Sequence, residues 1–139
     1  MLDPRKLARI HRVRTLQLGL TQADEMRAQQ RVASEAALAQ RIGQLAAAVA
    51  PAPEASGGFS MAAAAYYRER LFHSATAADN RVRAAEGSAE RAAEATRAAK
   101  RDQTAVEKLM ERADKVAVAK EMRALEETPP ARKNRHDPC

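Results

Sequence analysis

From Met61 onward, positions at alternating steps of three and four form a stripe that runs through Ala64, Leu71, Val82, Val106 and Met110 to Lys120. Fourteen of its eighteen positions are apolar, and most of those are alanine. A solitary helix has no reason to keep a 3.5-residue repeat over so many turns, so the stripe predicts a second helix lying along it. The alanines predict a thin seam with closely spaced backbones.

The first third of the chain answers this stripe only in part. Leu7, Ile10, Val13, Leu16 and Leu20 form one apolar patch, and Leu38, Ile42, Leu45 and Val49 form another. Counting back from Leu38 in the same register puts Asp24, Arg31 and Glu35 on the seam, which predicts a slip of phase between residues 24 and 35. Asp3-Pro4 reads as a helix start, because Asp accepts from free amides of the first turn and Pro at the first helical position loses no needed N–H. The prolines and glycines of "PAPEASGG" (51–58) end that helix and reverse the chain, and Ser60 reads as the cap of the next. Thr128-Pro129-Pro130 stops the second helix.

The predicted fold is therefore all-α: a long antiparallel two-helix coiled-coil hairpin with unequal arms. It forms a single hairpin domain over 1–128, with helices at 3–50 and 60–128 and a turn at 51–59. The tail 129–139 lacks apolar content and is expected to be disordered. At 1.5 Å per residue the arms span about 70 Å and about 100 Å. Folding back at the turn makes residue n face roughly residue 110 − n. Leu38, Ile42, Leu45 and Val49 then meet residues 59–72, and Gly43 faces Tyr67. Gly43 either makes room for a ring or is an ordinary helix glycine costing about 1 kcal/mol relative to alanine. The last turns of the second helix have no partner in cis, yet Val106, Leu109, Met110, Val116, Val118, Met122 and Leu125 make them more apolar than the alanine middle.

Composition supports a helical rather than a sheet-based fold. Only 3% of the 139 residues are aromatic against 30% charged, and mean hydropathy is −0.54, which argues against a thick globular core. The net charge of +6 sits at the ends. Residues 1–14 carry five basic side chains and one acidic, and residues 129–139 carry three and one, so the remainder is neutral. A nucleic-acid binder more often spreads a basic stripe and interleaves aromatics with it. One cysteine, Cys139, excludes an internal disulfide and fits a reducing compartment. The basic start is not followed by the apolar segment of a signal peptide, and no uncharged stretch is long enough to span a bilayer. A cytoplasmic protein is expected, with an organelle transit peptide as the alternative reading of the Arg-rich start.

Little chemistry is visible. His11, His73 and His136 are dispersed, and His136 with Cys139 makes two ligands at most, so neither metal nor cofactor is expected. No phosphate-binding glycine loop occurs. Glu86, Glu90 and Glu94 line one helix row and read as a solvated acidic face. No nucleophile sits beside a base, so no enzymatic activity is expected. The basic start either touches an anionic surface or is a solvated helix end. All four aromatics, Phe59, Tyr66, Tyr67 and Phe72, fall between 59 and 72. In the heptad register Leu71 lies on the seam, Tyr67 and Phe72 flank it, and Tyr66 and His73 point outward. The rings either seal the hairpin end or anchor a partner.

A short basic helical hairpin with unequal arms, an aromatic patch just past its turn and the charged segment "VEKLMERADKVAVAKEMR" late in its second helix resembles the FliJ family. These are flagellar type III export proteins related to the YscO-type stalks of injectisomes. The resemblance implies a non-enzymatic stalk on the cytoplasmic face of the inner membrane. It would link a hexameric export ATPase to the cytoplasmic domain of the export gate, with export chaperones as further partners. It implies gate contacts through Leu38, Ile42, Leu45, Tyr66, Tyr67, Leu71 and Ala75. It implies ATPase contacts through Leu7, Ile10, Arg14, Val106, Leu109, Met110 and Arg112. The chain departs from the family in its alanine richness and in lacking aromatics late in the second helix. The alternatives are a basic coiled-coil adaptor for nucleic acid or membrane surfaces, and a self-associating structural coiled coil.

Overall fold

The computed structural model describes residues 3–49 and 58–130, with side chains from residue 61 onward in the second stretch. Among the described residues there are two helices and no strand: α1, Pro4–Ala48, and α2, Gly58–Glu126. Asp3 caps α1 as its sequence suggests. Its Oδ1 accepts from the Arg5 amide at 3.0 Å and its carbonyl from the Lys6 amide at 2.9 Å, occupying donors the first turn leaves unpaired. Ser60 is no cap, because α2 is already helical at Gly58. At the other end, Thr128 donates its hydroxyl to the Ala124 carbonyl at 2.7 Å, just before Pro129 and Pro130 end the helix. Of the turn expected at 51–59, residues 58 and 59 already belong to α2; residues 50–57 and the tail at 131–139 lie outside the described residues.

Contacts divide the chain into two compact units, Met1–Thr15 with Arg101–Cys139, and Leu16–Lys100. In the first unit α1 and α2 run antiparallel. His11 Nε2 lies 3.2 Å from Glu107 Oε1, Arg14 donates to Asp102 at 3.0 Å, and Gln103 donates to the Thr15 hydroxyl at 3.2 Å. Facing residue numbers sum to 118, 116 and 118. Leu7 and Val106 are the buried apolar residues, with Gln103 buried beside them. The amide of Gln103 is satisfied by Thr15, so this polar group in the seam incurs little of the desolvation cost of an unpaired one.

In the second unit the less exposed residues of α1 are Leu18, Thr21, Glu25, Ala28, Val32, Glu35, Ala39, Ile42 and Ala46, with Val49 just after its end, at unbroken steps of three and four. Those of α2 include Ala64, Arg68, Leu71, Ala75, Ala78, Val82, Ala85, Ala89, Ala92, Thr96 and Ala99, the stripe read from the sequence. Arg81 donates to Glu35 at 3.2 Å across the pair. The fold class is thus all-α, with the two helices antiparallel in each unit, as in a two-helix hairpin.

Two expectations need correction here. No slip of phase occurs between 24 and 35: Glu35 does sit on the seam, but Asp24 and Arg31 are exposed and Glu25 and Val32 take the neighbouring layers. The apparent slip arises because Leu38 and Leu45 flank the seam while Ala39 and Ala46 occupy it. Small residues on both helices let the backbones approach, and leucines at those positions would hold them apart. The pairing is also displaced from the sequence reading, with facing numbers summing to 116 rather than to roughly 110. Consequently Gly43 does not face Tyr67, and a Cβ added there meets nothing within 4 Å. It makes room for no ring.

Candidate docking surfaces

In the first unit, α2 continues past the start of α1. Pro4 begins α1, and every α2 residue after Ala113 is exposed. The uncovered turns carry Val116, Val118, Met122 and Leu125, all exposed, and Leu109 stands partly exposed one turn earlier. Val118, Met122 and Leu125 lie on the side of α2 away from Leu109, and Val116 extends the apolar Leu109 face past the level of Pro4. At its root is an open groove of about 380 Å³, lined by Pro4 and Leu7 from α1 and by Leu109, Arg112, Ala113, Val116, Ala117 and Lys120 from α2. These α2 positions recur at steps of three and four, so they share one face. They continue the face that α1 covers further back.

The seven residues that the family resemblance assigns to the ATPase all fall in this unit, but they do different work. Leu7 and Val106 are buried between the helices, and Met110 is half-buried. Arg14 is engaged by Asp102. Ile10, Leu109 and Arg112 are exposed, and of the seven only Leu7, Leu109 and Arg112 line the groove. Site reading from sequence passes over Ala113, Ala117 and Lys120, although the three-four stripe runs through them.

In the second unit, the residues assigned to the gate divide similarly. Ile42, Leu71 and Ala75 belong to the seam, whereas Leu38, Leu45, Tyr66 and Tyr67 are exposed. The rings do not seal it: Tyr67 and Phe72 are 58% and 68% exposed, close to Tyr66 at 60%. The displaced pairing accounts for the tyrosines, since it sets Tyr67 level with Val49, just after α1 ends at Ala48, and Tyr66 one residue further; Phe72 lies level with α1 but off the seam, next to Leu71. Arg70 donates to the Tyr66 hydroxyl at 3.1 Å and lies 5.8 Å from its ring centre, while Phe72 meets His73 edge-on at 6.1 Å. The side chain of Phe59 lies outside the described residues.

No family model, curated protein or solved structure matches the chain.

The remaining candidates for chemistry are accounted for locally. Glu90 and Glu94 both pair with Arg97, at 2.8 Å and 3.1 Å. The hydrogen bond that Arg97 donates to Glu90, followed by the charges of Glu90 and Glu94, raises the Arg97 pKa above its usual value. This part of the acidic row is a set of exposed, solvent-screened ion pairs. Among the described residues no group of three or more His, Cys, Asp or Glu is placed to hold a metal ion, and no helix is long and apolar enough to cross a membrane. His136 and Cys139 lie outside those residues.

Proposed function

We propose that this protein is a non-enzymatic coiled-coil stalk of a bacterial type III protein export apparatus, docking an export ATPase at the unit that holds the chain ends and an export gate domain at the unit that holds the aromatics. The observation that carries the reading is the end of α2 at and beyond the level of Pro4, where Val116 continues the partly exposed Leu109 face without a covering helix. A partner helix laid on the groove face would bury Leu109 and Val116, each contributing about 1.5–3 kcal/mol when fully covered, whereas Met122 and Leu125 lie on the other side of α2. The exposed tyrosines with Leu38 and Leu45 supply a separate surface for a second partner. Association with the inner membrane would then be peripheral and would run through those partners.

The test is capture of purified export ATPase and gate domain by the full chain. Leu109→Asp should abolish ATPase capture and leave the gate, and Tyr66→Ala with Tyr67→Ala should do the reverse. Capture of neither component by the wild-type chain refutes the proposal.

A further inference from the structure

We infer that the groove at the start of α1 receives an acidic amphipathic helix of a partner protein, with apolar side chains seated on Leu7, Leu109 and Val116 and carboxylates meeting Arg112 and Lys120. The inference rests on reading this end as a docking surface, but not on the partner being an ATPase. The floor of the groove is apolar, and the charged residues among its lining are both cations. One further step along the same face reaches Arg123, also exposed, whereas Glu111, Asp114 and Glu121 fall on the opposite side of α2. Arg5 and Lys6, exposed on the first turn of α1, lie between Pro4 and Leu7 in sequence, and the carboxylate of Asp3 before them accepts from the Arg5 amide. From Leu109 to Lys120 the face extends about 16 Å along the axis, enough for about three turns of a docked helix.

Charge decides among the occupants. The chain's own tail brings Arg132, Lys133 and Arg135 against one acidic residue, so it repeats the sign of the groove. Two copies related by a two-fold axis would set the same row of Arg112, Lys120 and Arg123 against itself. A second copy offering its opposite, acidic face would fit in sign, but Lys115 already holds Glu111 there at 2.6 Å, and such a contact does not close. A separate helix with an apolar stripe and Glu or Asp on its flanks meets none of these objections.

The experiment uses the full chain and two fluorescent peptides of about 18 residues, both with leucines at three-four spacing, one flanked by Glu and the other by Lys. The Glu-flanked peptide should bind with an affinity that falls as salt rises, and the Lys-flanked twin should not bind. Arg112→Glu with Lys120→Glu should weaken the Glu-flanked peptide by about tenfold or more and admit its twin. Both positions are exposed, and an unchanged helical circular dichroism spectrum verifies that the variant folds. Equal binding of both peptides, or binding of neither, overturns the inference. So does concentration-dependent dimerisation in sedimentation that Val116→Asp abolishes, which would place a second copy in the groove. If Val116→Asp abolishes ATPase capture while the charge reversal leaves it intact, the inference fails and the docking reading survives. Peptide binding with no capture of either export component sinks the export reading alone.

Discussion

The unbroken seam of α1 makes a demand that the apolar pattern of the sequence does not. Leu7 and Leu18 are 3% and 8% exposed, while Ile10, Leu16 and Leu20, equally apolar and interleaved with them, are 43%, 64% and 66% exposed. Replacing Leu or Ile by Ala removes three carbons, and at about 0.8 kcal/mol per buried CH₂ the transfer loss is about 2.4 kcal/mol for a fully covered side chain. Scaled by burial, Leu7→Ala and Leu18→Ala should each cost about 2 kcal/mol. The same scaling gives about 1.4 kcal/mol for Ile10→Ala and about 0.8 kcal/mol for Leu16→Ala and Leu20→Ala. The better helix propensity of alanine trims each by a few tenths. Urea unfolding followed by circular dichroism at 222 nm, with all five variants compared at a common slope, measures these differences. If Ile10→Ala and Leu16→Ala cost as much as Leu7→Ala and Leu18→Ala, the seam has been assigned to the wrong face of α1.

Gly43→Ala should stabilise the protein by about 1 kcal/mol, because the added Cβ enters open space within a helix; a lowered melting temperature would show a neighbour too close for it. A double-mutant cycle on Glu35 and Arg81 should give a coupling below about 1 kcal/mol that shrinks with added salt, as both groups are partly solvated. Coupling of several kcal/mol would contradict that. Gln103→Ala should cost about 1 kcal/mol or more in urea unfolding through the lost bond to Thr15, and adding Thr15→Ala should cost little beyond it. Phe72→Ala should leave stability within about 0.5 kcal/mol of wild type, since its ring covers no seam.

The second helix was legible from its sequence because apolar residues and seam positions coincide from Ala64 to Ala113. On the first they do not. His11, Arg14, Thr21, Glu25 and Glu35 all lie on the seam, while Ile10, Val13, Leu16 and Leu20 stand exposed. Long polar side chains can lay their stems along a thin alanine surface and keep their charged ends in water, so a polar residue there is no signal of exposure. The groove was half legible. The apolar character of the late second helix is plain in the sequence, but its edge with Pro4 depends on how far α1 reaches along α2, and that follows from the pairing of the helices.

That pairing differs from the one inferred by folding the sequence at its turn by about one heptad, and the alanine seam explains why such an error is easy to make. Ala78, Ala85, Ala92 and Ala99 stand seven residues apart, so sliding one helix by seven exchanges alanine for alanine. The apolar layers act as a ruler with identical graduations, and the polar contacts of Thr15 with Gln103, Arg14 with Asp102 and Glu35 with Arg81 are the marks that distinguish one graduation from the next. A length change of seven residues in α2 between Ala85 and Ala92 should therefore be absorbed as a new alignment, whereas a change of one or two would rotate the whole stripe out of the seam. In this chain, insertions and deletions are filtered by their remainder on division by seven.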